Sequence, residues 1–154
     1  MSAKSEGLDP FMRAAIEQAR KSREENGIPI GSVLELGGVI IGRGHNRRVQ
    51  NRDPTAHAEI ECLRDAGRIG SYKNTTLYST LMPCQLCTGA ILLFGIKRVV
   101  AGENETFHGA SEYLTSQGVE VINLDLQECK QLMQEFITSN NQLWNEDIGR
   151  DAPQ

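Results

Sequence analysis

At 154 residues the chain is one domain long, and 39% hydrophobic against 23% charged residues is a globular balance that needs no disulfides. A formal net charge of −4 supplies no global positive field, so neither nucleic acid nor an anionic membrane is expected as a partner. No apolar run approaches the roughly twenty residues of a transmembrane helix, and segment 1–9 is polar where a secretion signal would be apolar, so a cytoplasmic location is expected.

No repeat or low-complexity segment divides residues 10–149, which are read as one domain between a polar N-terminal tail, 1–9, and a C-terminal tail, 150–154. From Phe11 to Asn26 the apolar residues Phe11, Met12, Ala15, Ile16 and Ala19 recur at helical spacing. Asn26-Gly27 ends that helix and Pro29 blocks its continuation. Ser32–Leu36 and Val39–Arg43 read as strands, joined by Gly37-Gly38 in a tight hairpin. A second helix begins near His57 and ends by Gly67, carrying Ile60 and Leu63 inward. Thr75–Thr80 is a strand, and Cys84–Phe94 a very apolar helix with Leu86, Ala90, Ile91, Leu93 and Phe94. Lys97–Ala101 and Val119–Leu124 are strands. Leu126–Ile137 is an amphipathic helix burying Leu126, Cys129, Met133, Phe136 and Ile137, and Asn141–Ile148 forms a last helical turn or two. This order predicts an α/β fold: a three-layer α/β/α domain with a central mixed β-sheet and helices on both faces.

Chemistry concentrates in two short pieces, His57-Ala58-Glu59 and Pro83-Cys84-Gln85-Leu86-Cys87. Together they match H-x-E followed by P-C-x-x-C, the signature of zinc deaminases. Zinc takes thiolate and imidazole donors tetrahedrally. Cys84 and Cys87, three apart at a helix start, share one face, where the helix field favours thiolates. Pro83 suits that place because its missing N–H has no helical partner. His57, Cys84 and Cys87 make three ligands and leave one position for water, the pattern of a catalytic rather than a structural zinc site. His45, Cys62, His108 and Cys129 are the candidates for a closing fourth ligand, Cys62 the least suited because it lies too far along its helix. The other two cysteines of the four, Cys62 and Cys129, otherwise read as small buried hydrophobes.

Glu59 is the acid/base candidate. Positions two apart on a helix face different ways, so His57 and Glu59 converge only if the site lies over the helix end. With zinc acidifying a bound water, Glu59 would take its proton and pass it to a ring nitrogen of an aminated heterocycle, then help protonate the departing ammonia.

Five pieces of the chain resemble the cytidine and cytosine deaminase superfamily, and within it the yeast-type cytosine deaminases. They are Gly27-Ile28-Pro29-Ile30-Gly31, Gly42-Arg43-Gly44-His45-Asn46, His57-Ala58-Glu59, Pro83 to Gly89, and Trp144-Asn145-Glu146-Asp147-Ile148-Gly149. The resemblance implies a homodimer acting in pyrimidine salvage on a small-molecule nucleobase, cytosine first. It also implies site roles. Asn46 and Asp147 would hydrogen-bond the ring edge, and the backbone N–H of Ala58 would meet the substrate carbonyl. Ile30 would pack on the base, with Phe107, Trp144 and Ile148 as a lid. Two positions depart from the yeast-type pattern: Ala58 replaces glycine, which a backbone contact tolerates, and Met82 replaces serine beside the metal. Guanine, a nucleoside or adenosine in tRNA are alternative substrates, and a non-catalytic zinc module is the alternative of another class. A local cluster, Arg43, Arg47, Arg48 and Arg52, is read as solvated surface.

Overall fold

The computed structural model describes residues 8–150, so all but Leu8, Asp9 and Arg150 of the two expected tails lies outside the described residues. Helix α1, Pro10–Glu24, opens on a proline and is capped by Asp9, whose carboxylate accepts from the Phe11 N–H at 2.8 Å. It ends at Asn26 and Gly27; Asn26 takes the left-handed conformation and the Gly27 N–H returns to the Ser22 carbonyl. Strands β1, Gly31–Leu36, and β2, Val39–His45, form the expected hairpin. Gly37 and Gly38 both have positive φ, the geometry that matches the turn to the strands' own twist. There follow α2 (Arg48–Asn51), α3 (Ala58–Ala66), β3 (Thr75–Ser79), α4 (Gln85–Phe94) and β4 (Arg98–Ala101). The chain continues through α5 (Ser111–Ser116), β5 (Glu120–Asn123), α6 (Gln127–Ser139) and α7 (Asn141–Asp147).

The strand order is β2-β1-β3-β4-β5, antiparallel across the first three and parallel across the last three, so the sheet is mixed. Alternation along the strands divides the core. Val33, Tyr78 and Val100 pack with Met12 and Ile16 of α1 and Cys129 and Leu132 of α6. Their neighbours Leu34, Leu77 and Val99 point the other way, onto Cys62 of α3, Ile91 of α4 and Leu114 of α5. The result is the three-layer α/β/α arrangement. A third cluster, including Ile28, Ile30, Ala58, Leu81, Phe136 and Trp144, closes one end of the sheet. The carboxyl ends of the parallel strands β3 and β4 open there, where α/β folds place their ligands.

Two local expectations are corrected. Helices α2 and α5 have no counterpart in the sequence reading. Helix α3 presents Ala58, Glu59 and Cys62 inward; Leu63 packs against the core as expected though half-buried, whereas Ile60 is half-buried and joins no core cluster among the described residues. The reason is closeness: a methyl added at Gly42 would lie 2.6 Å from the Cys62 carbonyl oxygen and 2.8 Å from the Ala66 Cβ. Small residues must therefore line this contact, and the large ones move to its flanks. In α4 only Cys87, Thr88 and Ile91 are buried, leaving Leu86, Leu93 and Phe94 exposed.

Candidate active site and metal centre

Two segment starts meet at the open end of the sheet. His57 is the residue before α3, extended at φ −72° and ψ 154°, and its ring makes no cap to the helix. Cys84 occupies the equivalent place before α4, with Pro83 one residue earlier, ahead of the helix rather than in it. The segment between β3 and Cys84 is pinned on both sides. The Thr80 N–H donates to the Gly31 carbonyl and the Met82 N–H to the Glu103 carbonyl, at 3.0 and 2.9 Å.

These placements bring His57, Cys84 and Cys87 together, their donor atoms all within 4.8 Å of one another. The two sulfurs lie 3.4 and 3.6 Å from His57 Nδ1. A tetrahedral zinc ion, with Zn–S of about 2.3 Å and Zn–N of about 2.0 Å, sets its sulfur and nitrogen ligands about 3.5 Å apart. The donor set and spacing fit zinc. Among the described residues no fourth side chain joins them. His45 is buried against Glu25 at 2.8 Å, and Cys62 donates to the Gly42 carbonyl. His108 stands out in solvent beside Glu112, and Cys129 sits in the core between α6 and the sheet.

The three donors are electrostatically coupled, Cys87 being pushed well up by its hydrogen bond with Cys84 and by burial. Cys84 is drawn down to about 4, first by a hydrogen bond from Cys87 and, against burial, by His57. Burial works against a charge on His57, but Cys84, Glu59 and Asp147 outweigh it and push its pKa up to about 9. Glu59 is raised by burial and by the negative charge of Cys84. It is a buried carboxyl in the first turn of α3, accepting from Ser79 Oγ at 3.3 Å. His57 and Glu59 converge over the start of α3 because His57 precedes the helix while Glu59 belongs to its first turn. A buried carboxyl beside the three metal donors is placed as a general acid/base candidate.

Above this centre lies a cavity of about 280 Å³. Ile30, Asn46, His57, Glu59 and Cys84 line it, and Phe107, Trp144, Asp147 and Ile148 form its outer wall. Phe107 and Trp144 meet edge to face, their centroids 6.2 Å apart. Cys87 is buried and does not line the cavity, joining the site only through its sulfur beside His57. The Ala58 side chain is packed into the core and does not line the cavity. As the first residue of α3, however, it has a backbone N–H beyond the reach of any intrahelical carbonyl. Asn46 is buried, and its Oδ1 accepts the Arg48 N–H at 3.0 Å, so its amide hydrogens are the part left for a ligand. Asp147 Oδ1 is buried without a hydrogen bond from any described residue, and burial, opposed by His57 and Arg48, raises its pKa.

Met82 lines the same wall, its side chain against Gly109. Sequence reasoning missed Ser79, Leu81 and Pro54, which carry no motif, and Gln85 and Leu86, which fill the two variable positions between Cys84 and Cys87. It also misplaced Arg48. Instead of joining a solvated cluster, the Arg48 side chain is only 16% exposed and turns toward Asp147.

A model of the cytidine and deoxycytidylate deaminase zinc-binding region matches residues 5–103, which include His57, Glu59, Cys84 and Cys87. The chain belongs to this deaminase family. It is 50% identical to a cytosine deaminase of Candida albicans over 141 residues, 90% of this chain and 94% of that protein. It is 40% identical to a tRNA-specific adenosine deaminase of Haemophilus influenzae over 146 residues, 86% of this chain and 84% of that one. Among solved structures it resembles one from a study of A-to-I editing by tRNA:A34 deaminases. That likeness has a TM-score of 0.69 and 31% identity, covering 80% of this chain and 98% of the other. The family's zinc-binding region thus runs from α1 through β4, and the outer wall of the cavity, from Phe107 to Ile148, is supplied by the chain beyond it.

Proposed function

We propose that this deaminase hydrolyses a free nucleobase, cytosine, to uracil and ammonia. The observation that carries the reading is the position of α7. It brings Trp144, Asp147 and Ile148 into the lining of the cavity that holds His57 and Glu59, a space of a size for a single ring. The extended similarity to the Candida albicans cytosine deaminase supports the same choice.

Zinc held by His57, Cys84 and Cys87 would supply an acidified water as nucleophile. Glu59 takes the proton of that water and delivers it to the ring nitrogen beside the amino-bearing carbon, making that carbon electrophilic. The hydroxide so formed would add to that carbon, and Glu59 then takes the second proton from the added hydroxyl and passes it to the amino group, which leaves as ammonia as the C–N bond breaks and the ring C=O forms. The amide hydrogens of Asn46 and the N–H of Ala58 meet acceptors on the base, and Asp147 accepts from a ring N–H. Ile30, Phe107, Trp144 and Ile148 cover the two faces and keep bulk water out. A site built this way discriminates by leaving its buried polar groups unpaired against the wrong base.

The enzyme acts as a homodimer in pyrimidine salvage. Support for the dimer is the exposed apolar face of α4, with Leu93 79% exposed and Leu86 and Phe94 beside it. None of Cys62, Cys84, Cys87 and Cys129 is in a disulfide, which suits a cytoplasmic location.

A second reading, adenosine in tRNA, is favoured by the Haemophilus influenzae relative. Ammonia release from a panel of cytosine, isocytosine, guanine, cytidine, adenosine and a tRNA with adenosine at the wobble position separates the two. Cytosine alone should be turned over fast. Turnover of the nucleosides or the tRNA but of no free base would remove the small-base reading.

A further inference from the structure

We infer that Arg48 is a positioning residue that ties together the two base-reading side chains, Asn46 through its backbone and Asp147 through its guanidinium, and so latches α7 over the cavity. The inference deepens the proposed function and rests on it for the roles of Asn46 and Asp147.

Asn46 is held from every side. Its N–H donates to the Ile30 carbonyl at 2.9 Å, and its own carbonyl accepts from Ser22 Oγ and Gln50 Nε2 at 2.7 and 3.1 Å. The remaining freedom is rotation of the side-chain amide, and the Arg48 N–H removes it by binding Oδ1. Asp147 has fewer ties: besides Arg48, only His57 faces it among the described residues, with Nε2 3.8 Å from the same Oδ1. It ends a seven-residue helix whose buried anchor is Trp144. Arg48 reaches it from α2: Nε stands 3.5 Å from Asp147 Oδ1, and Nη2 stands 3.8 Å from Glu146 Oε2.

The burial is uneven in an informative way. The Asp147 side chain is 6% exposed and Glu146 is 64% exposed, so the guanidinium spans from the cavity wall to the surface. Neither Arg48 Nε nor Asp147 Oδ1 makes a hydrogen bond among the described residues. Opposite charges at this distance attract strongly in a half-buried setting, yet the carboxylate oxygen is left unsaturated for a ligand N–H. The planar fork of arginine can address two carboxylates at once, which the single ammonium of lysine does poorly. One residue thus fixes the donor edge directly and the acceptor edge by electrostatic attraction, so the two are kept in register with one another.

The test uses the full-length zinc-loaded protein and Arg48→Met, which keeps the backbone N–H and much of the stem but loses the charge. Trp144 is the only tryptophan and lies on α7, so its emission reports the latch with no substrate present. Without the guanidinium, emission should shift to the red and acrylamide quenching should rise. With cytosine, KM should rise about tenfold with a smaller change in kcat, as expected when one partner of a buried charge pair is removed. Asp147→Asn should raise KM too, and the double variant should be no worse than Asp147→Asn alone. Arg43→Met, the same charge change on the exposed side of β2, should leave emission and KM unchanged.

Wild-type quenching in a folded Arg48→Met, or additive losses in the double variant, would overturn the latch. If Arg48→Met does not fold, Arg48→Lys decides. Raised quenching intermediate between wild type and the unfolded chain supports the latch, and wild-type quenching and KM overturn it. Should no free base be turned over, the proposed substrate fails while the fluorescence still decides whether Arg48 holds α7.

Discussion

Asn46 shows how one side chain's hydrogen bonds set what a site can read. Its oxygen accepts the Arg48 N–H, and on the proposed reading its amide hydrogens meet an acceptor on the base, which replacement would leave buried and unpaired. Asn46→Ala should lower kcat/KM by about 10- to 100-fold, the value of one such buried bond, without loss of zinc. Steady-state kinetics with metal analysis checks this, and a variant of unchanged kcat/KM would remove Asn46 from the site. At this scale the sequence was unevenly informative. His57, Glu59, Cys84 and Cys87 were legible because metal chemistry demands particular donors at short spacings. Arg48 was not, because a charge pair with Asp147 joins distant parts of the chain and leaves no local pattern.

Among the elements, α3 packs backbone to backbone on the strand β2. A methyl at Gly44 would meet the Cys62 nitrogen and lie 2.6 Å from the Ala58 carbonyl oxygen and 2.8 Å from the Glu61 carbonyl carbon, all backbone atoms. Backbone yields poorly, so Gly44→Ala should cost about 1–3 kcal/mol and displace α3, weakening zinc binding through His57. Urea unfolding and zinc titration measure both, and a fully stable variant with normal zinc affinity would contradict the packing described. This contact also explains why Ile60 was misread. Periodicity identifies an amphipathic helix but assumes that large apolar residues face the core, whereas two glycines on β2 here admit only small ones. Helices α2 and α5 escaped notice for a different reason: four and six residues are too short to display a helical period. The strands, the hairpin and the longer helices were legible because alternation and glycine chemistry act locally. Exposure of Leu93 on α4 was not legible, since an apolar helix reads alike whether its partner is its own sheet or a second copy. Leu93→Glu should convert a dimer to monomers in sedimentation velocity while leaving the monomer's fold intact. A variant that stays dimeric would place the interface elsewhere.

For the molecule as a whole, the buried thiols and one phenol bear on stability. Burial pushes Cys129 up to about 12 and Cys62 higher still, and burial together with Asp9 pushes Tyr78 up to about 12. Each is raised above its unfolded value, so each favours the fold fully below the unfolded pKa, and that contribution is lost as pH climbs toward the folded value. Stability should therefore fall from about pH 9 upward, where unfolded thiols begin to ionise. Urea midpoints between pH 8 and 11 should show the decline, with a shallower slope in Cys129→Ala; a midpoint rising with pH would contradict it. The same fold that shelters these groups opens at one sheet end to place an imidazole, two sulfurs and a protonatable carboxyl around one cavity. The decisive measurement is the rate of uracil formation from cytosine by Glu59→Gln, made together with its zinc content. The account predicts zinc bound as in the wild type and a rate lower by about 10²–10⁴-fold, the usual worth of a positioned acid/base. A zinc-loaded Glu59→Gln that deaminates cytosine at the wild-type rate would contradict it.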